Sequence, residues 1–232
     1  MMRGGTFLIK AVLFDLDGTL LDRDRSVRQF IAMQYDRLKS ELGHIVKEDY
    51  VNRFIEIDNH GYVWKDKVYD QLCNEFRIVN LSSEKLLQDY LQHFKQSCVA
   101  FPSMISMLDK LKKNNHRLGI ITNGYGQFQM DNINSLRIEA YFDAIFISEW
   151  EKMRKPDPRL FLRALDRLKV APYESIFIGD HPENDVKAAK EVGMIGIWKK
   201  SIYWKSADTD LVIDELDEIP AIIEKLNSKS FA

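Results

Sequence analysis

The sequence predicts an α/β protein: a doubly wound, Rossmann-like parallel sheet whose chain is interrupted by an inserted α-helical domain. Three observations predict it. Short apolar runs rich in Ile, Val and Phe occur at residues 11–15 and recur between residues 118 and 213, as strands buried on both faces do. Stretches with helical spacing lie between them, such as Met104, Leu108 and Leu111, then Leu160, Leu165 and Leu168. Strands alternating with helices make a parallel sheet covered on both sides. From Asp22 to Val99 the alternation stops, and only helical patterns remain.

Taken in order, the predicted strands are Ala11–Asp15 (AVLFD), Leu118–Thr122 (LGIIT), Ala144–Ser148 (AIFIS), Ser175–Gly179 (SIFIG) and Met194–Trp198 (MIGIW), with a sixth at Leu211–Ile213 before a last helix over Ile219–Leu226. Their length and punctuation, rather than periodicity, separate them from helix fragments. The interruption reads as four helical patterns. They are Val27, Phe30, Ile31 and Tyr35; Val51, Phe54 and Ile55; Val68, Leu72 and Phe76; and Leu86, Leu87, Leu91 and Phe94. The exits fall near Leu21–Arg25 and Ser97–Pro102, which divides the chain into a core of residues 1–21 and 100–232 and an insertion of residues 22–99. Residues from Ser228 onward are expected to fray.

Composition narrows the function classes. The 232 residues carry 33 Lys and Arg against 35 Asp and Glu, a formal charge of −2, and 45% are hydrophobic. That is globular composition, not disorder. No basic field invites a nucleic acid polymer or an anionic membrane. Cys73 and Cys98 form no CxxC pair and are read as free, buried thiols in a reducing cytoplasm. The apolar run Phe7–Leu16 is broken by Lys10 and Asp15 and is too short to span a bilayer. The expectation is a soluble cytoplasmic protein, with no oligomeric state assigned.

The chemistry collects at predicted strand ends, where open parallel sheets bind ligands. The first strand ends in Asp15-Leu16-Asp17-Gly18-Thr19. Two carboxylates converging there repel unless a cation sits between them, which points to an oxygen-loving divalent metal such as magnesium. The second strand ends in Thr122-Asn123-Gly124, a hydroxyl beside turn amides. Lys155 follows the third strand in Arg154-Lys155-Pro156-Asp157-Pro158, just before a helix started by proline. The fourth ends in Gly179-Asp180, with Asn184-Asp185 after it. Four acids, one hydroxyl and one ammonium suit a metal-bound phosphoryl group. The first acids could instead form a calcium loop, but glycine stands fourth there rather than sixth, and a strand precedes it.

With DLDGT at 15–19, TNG at 122–124, KPDP at 155–158 and GDHPEND at 179–185, the chain resembles the haloacid dehalogenase superfamily of phosphotransferases, in the family's motif order and over its whole length. The resemblance implies that residues 22–99 are a helical cap and that the protein is a magnesium-dependent phosphatase. It implies that Asp15 is a nucleophile forming an aspartyl-phosphate, and that Asp17 is the acid and base for the leaving oxygen and the water. Thr122 and the amides near Leu16, Asp17 and Asn123 would bind the phosphoryl group. Lys155 would offset charge on Asp15 and phosphate. Asp15, the Asp17 carbonyl and Asp180 would hold the metal, with Asp185 direct or through water. The implied substrate is a small phosphorylated metabolite. Asp17 argues against a dehalogenase, since departing halide needs no proton. A phosphomutase, handing the phosphoryl group to a sugar, is the nearer alternative, and a phosphate-responsive binding protein a third.

Other candidates carry weaker signals. Asn59, His60, Trp64 and Lys65 form a polar-aromatic cluster in the insertion, and Tyr125 adjoins the TNG turn. Arg23 and Arg25 are read as solvated, Trp198 and Trp204 as packing residues, and His181 as a poor magnesium ligand beside Glu183.

Overall fold

The computed structural model describes residues 8–229. Phe7, the rest of the expected core's residues 1–7 and the tail from 230 lie outside that range. Along the chain run β1 (Ala11–Phe14), α1 (Arg23–Arg37), α2 (Lys39–Leu42), α3 (Lys47–Asp58), α4 (Lys65–Glu75) and α5 (Ser83–His93). Next come α6 (Met104–Lys113), β2 (Arg117–Thr122), α7 (Gly126–Ser135), β3 (Ala144–Ile147), α8 (Ser148–Glu151) and α9 (Pro158–Leu168). After β4 (Ser175–Gly179), a π-helical turn Pro182–Lys187 leads into α10 (Ala188–Glu191), then β5 (Ile195–Lys199), β6 (Val212–Ile213) and α11 (Ile219–Lys229). Ser228, expected to fray, is still helical. No helix among the described residues is long and apolar enough to cross a membrane.

The chain forms two compact units, residues 1–21 with 100–232 and residues 22–99. The first holds a six-stranded parallel sheet in the order β3-β2-β1-β4-β5-β6. The central strand β1 is wholly buried, as its unbroken AVLF run requires. Register sets where the strands let go. Phe14 lies level with Ile120 of β2 and Ile178 of β4, so Asp15, Thr122 and Asp180 leave the sheet on one edge. Helix α9 begins with Pro158 behind an Asp157 N-cap, whose side chain accepts the Arg159 amide at 2.9 Å. Its buried stripe of Leu160, Phe161, Ala164, Leu165 and Leu168 packs on Leu13, Ile121 and Phe177.

The second unit buries aromatic side chains. Phe30 and Tyr90 meet at 5.0 Å, Phe54 and Tyr69 at 5.3 Å, and Tyr90 and Phe94 at 4.9 Å between centroids. Gln34 lies buried among them, accepting from Tyr69 Oη at 2.9 Å and donating to Leu86 O at 3.1 Å and Asp89 at 3.0 Å. Leu91, expected on the apolar stripe of α5, is 46% exposed. The helix instead turns Leu86 and Tyr90 inward, four residues apart. Both cysteines are free but half-buried, not buried. The two ends of this unit are joined: Asp22 N–H donates to Val99 O at 2.8 Å, and Val99 N–H to Ser26 Oγ at 2.9 Å.

Arg23 is not solvated. Its guanidinium donates to the buried Asp58 at 2.7 Å, and Lys65 binds the other Asp58 oxygen. Burial alone would raise the Asp58 carboxyl, but the two cations outweigh it and hold it below its ordinary value. Arg25 is 68% exposed on its side chain, as expected. Trp64 and His60 are exposed.

Candidate active site

Asp15, Thr122 and Asp180 sit at the strand edge that register defines, and Lys155 ties Asp15 to Asp185. Its ammonium lies 2.6 Å from Asp15 Oδ1 and 2.6 Å from Asp185 Oδ1, with all three side chains buried. A buried ammonium is costly unless paired. Burial alone would lower its pKa, but Asp15 and Asp185 override that and hold it above the ordinary lysine value. The backbone of Lys155 is pinned by Asn123, whose Oδ1 accepts Lys155 N–H at 2.9 Å while its Nδ2 donates to Lys155 O at 3.1 Å. The asparagine of the TNG turn thus ties the end of β2 to the lysine loop.

Carboxylates surround this ammonium. One oxygen each from Asp15, Asp180 and Asp185 lies within 4.8 Å of the others. Burial lifts the Asp15 carboxyl to about 7 against the pull of Lys155. Burial, then the charges of Asp15 and Asp185, lift Asp180 to about 8. These are groups short of positive charge. An all-oxygen set of clustered acids fits a hard divalent cation and offers nothing to a soft one. Asp185 is doubly committed: Oδ1 to Lys155 and Oδ2 to the His181 amide at 3.0 Å. It packs on Gly179, where an added Cβ would lie 2.3 Å from Asp185 Oδ2. Gly18 adopts φ +81°, and a Cβ there would fall 2.6 Å from Asp180, so this turn requires glycine twice over.

The Asp17 side chain is anchored by helix α7. Its Oδ2 accepts from Gln129 Nε2 at 2.6 Å, and the same nitrogen donates to Thr122 Oγ1 at 2.8 Å. Thr122 is fully buried. Leu16 is buried, and its carbonyl accepts the amides of Thr19, Leu20 and Leu21, which closes the loop after β1. Tyr125 is 49% exposed. His181 serves as an N-cap: its Nδ1 accepts the Glu183 and Asn184 amides, each at 3.1 Å. That role leaves Nδ1 unavailable to a metal.

One role and one residue are not legible in the sequence. Trp198 packs in the core but also donates from Nε1 to Asp180 O at 2.8 Å, fixing the acid's loop. Gln129 stood in a helix with no apolar reason to be inward. Its signal was polar: Gln129 and Asn132, three apart, share the buried face of α7.

A parallel α/β sheet with buried acids around a lysine at its strand ends is a ligand site able to hold a divalent cation. Residues 12–199 match the model of the haloacid dehalogenase-like hydrolases. The chain belongs to that family. It is 29% identical to the glyceraldehyde 3-phosphate phosphatase of Pyrococcus furiosus, across 96% of this chain and 95% of that one. It is 24% identical to the N-acylneuraminate-9-phosphatase of Mus musculus, across 97% and 98%. Among solved structures, the putative hydrolase YfnB of Bacillus subtilis superposes with a TM-score of 0.77 at 18% identity, covering 93% of this chain and 99% of that one.

Proposed function

We propose that this chain is a magnesium-dependent phosphatase that hydrolyses a small phosphomonoester through an aspartyl-phosphate on Asp15. The observation that carries the reading is the buried ammonium of Lys155 between Asp15 and Asp185, with Thr122 and Asp17 at the same strand edge. The relatives' names agree on a phosphatase acting on a small phosphorylated compound and differ on which one.

Asp15, Asp180 and the Asp17 carbonyl would hold the cation, with Asp185 supporting them. Once bound, it supplies charge neutralisation between the carboxylates and the phosphoryl oxygens. In the first half-reaction a carboxylate oxygen of Asp15 attacks phosphorus. The bond from phosphorus to the ester oxygen breaks, and that oxygen takes a proton from Asp17. In the second, water attacks the same phosphorus and gives its proton to Asp17. The acyl-phosphate bond breaks, which restores the Asp15 carboxylate and releases inorganic phosphate. Thr122 donates its hydroxyl hydrogen to a phosphoryl oxygen, and Lys155 holds Asp15 in its attacking orientation. Residues 1–21 with 100–232 form the catalytic core in this reading, and residues 22–99 the cap. The enzyme works in the cytoplasm.

A dehalogenase reading has a relative in a 2-haloacid dehalogenase of Pseudomonas syringae, 25% identical. An acid at position 17 disfavours it, because halide leaves without a proton. A phosphate-release screen over a metabolite panel, with and without magnesium, tests the reading. Magnesium-dependent phosphate release is expected, abolished by Asp15→Asn and Asp17→Asn. Full steady-state turnover in either variant refutes the mechanism. A sugar isomer formed without free phosphate favours the mutase.

A further inference from the structure

We propose that Gln129 is a positioning residue that orients the two proton-handling groups of the site, Asp17 and Thr122, with one amide nitrogen. The inference rests on the phosphatase reading above and deepens it.

Gln129 is 2% exposed and cannot exchange its partners for water. Its Nε2 lies 2.6 Å from Asp17 Oδ2, 2.8 Å from Thr122 Oγ1 and 3.3 Å from Asn123 O. An amide nitrogen carries two hydrogens, so the two shorter contacts use both. The orientation of the amide is set from the far side: Asn132 Nδ2 donates to Gln129 Oε1 at 3.1 Å, which makes that atom the acceptor and turns Nε2 toward the site. Space is set by Gly124, where a Cβ would lie 2.7 Å from Gln129 Cγ and 3.1 Å from Nε2. The glycine of the TNG turn is therefore the floor on which this side chain lies.

Two consequences follow for the chemistry. A threonine hydroxyl has one hydrogen to give. With an N–H pressed against its oxygen, Thr122 directs that hydrogen away from Gln129 and keeps it for a phosphoryl oxygen. On Asp17, Oδ2 receives an N–H and is occupied as an acceptor. The proton passed to the ester oxygen as its bond to phosphorus breaks must then sit on Oδ1. Gln129 thus sorts the two oxygens of Asp17, so that one anchors the side chain and the other transfers the proton.

The test compares kcat/KM for phenyl phosphate and p-nitrophenyl phosphate in wild type and Gln129→Leu, with magnesium. Phenoxide needs a proton to depart far more than nitrophenoxide does, and kcat/KM reports the steps through formation of the phosphoenzyme. We expect Gln129→Leu to lose about tenfold more on phenyl phosphate than on p-nitrophenyl phosphate, within the range of general acid catalysis. A side chain with only a packing role lowers both esters by the same factor, and an equal loss overturns the proposal. Should leucine unfold the chain, Gln129→Glu, of the same shape but with an oxygen facing Asp17, is judged on the same ratio. A folded wild type that releases phosphate from neither ester overturns the phosphatase reading and this proposal together. Wild-type turnover with an unchanged ratio in the variant overturns this proposal alone.

Discussion

Raising the pH of the metal-free chain from about 5 to about 8 is expected to destabilise it, and magnesium is expected to restore what is lost. The Asp15 carboxyl is lifted to about 7 and the Asp180 carboxyl to about 8, whereas both ionise near 4 in the unfolded chain. Between those limits the native state binds more protons than the unfolded state, so stability falls as pH rises. This sign is opposite to that of an ordinary ion-paired carboxylate. Each group approaches a slope of about 1.4 kcal/mol per pH unit. One of them acting alone between pH 5 and 7 contributes about 2–3 kcal/mol, or roughly 5–10 °C in Tm for a chain of this size. His116 and His181, whose pKa values burial lowers, act in the opposite direction below about pH 6.5. The comparison that isolates the carboxylates is therefore wild type against Asp180→Asn, by thermal unfolding in EDTA and in excess magnesium chloride. The variant is expected to be the more stable protein at pH 8 in EDTA, to lose stability less steeply with pH, and to respond little to magnesium. Wild type should gain more from magnesium at pH 8 than at pH 5. Parallel pH profiles for the two proteins in EDTA, or a magnesium gain that does not change with pH, would refute the reasoning.

Other perturbations have equally definite outcomes. Lys155→Met strands Asp15 and Asp185 without their cation; a loss of about 3–5 kcal/mol in urea unfolding at neutral pH is expected, shrinking toward pH 5 as Asp15 takes up a proton. A loss below about 1 kcal/mol would mean the ion pairs do not hold the site. Gly179→Ala drives a methyl into Asp185, 2.3 Å from Oδ2. Magnesium affinity by titration calorimetry should fall about tenfold or more, and unchanged affinity would remove Asp185 from the metal's support. Thr19 Oγ1 is buried without a hydrogen-bond partner among the described residues. Thr19→Val should be neutral or stabilising, up to about 1 kcal/mol, and clear destabilisation would reveal a partner. Gln34→Leu leaves the buried Tyr69 hydroxyl without its acceptor and should cost about 1–3 kcal/mol, read as lost hydrogen-exchange protection in residues 22–99.

Much of the fold is legible in the sequence because a buried parallel strand has little freedom in composition. The six apolar runs become six strands, each end within a residue of expectation. What leaves those strands could also be foreseen, since parallel register puts Asp15, Thr122 and Asp180 on one edge whatever the helices do. Side-chain direction could not be read. The Asp17 side chain is anchored by Gln129, because α7 brings a buried amide to it from more than a hundred positions along the chain. Asn123 was expected to lend a backbone amide, yet its side chain is spent holding Lys155. Arg23 reads as solvent-facing in a polar stretch, and only the fold shows Asp58 waiting for it. Contacts between residues far apart in sequence leave no local periodicity to detect.

The stitched ends of residues 22–99 bear on how such a chain can diversify. Leu21 and Ala100 form an antiparallel bridge, Phe101 N–H donates to Leu20 O, and one residue further out Asp22 binds Val99. Departure and return are therefore a strand spacing apart, about 5 Å. A segment of any length whose termini meet at that spacing closes the same loop, and the entropic cost of closure grows only with the logarithm of its length. The doorway itself sets the spacing of the segment's ends and not its length.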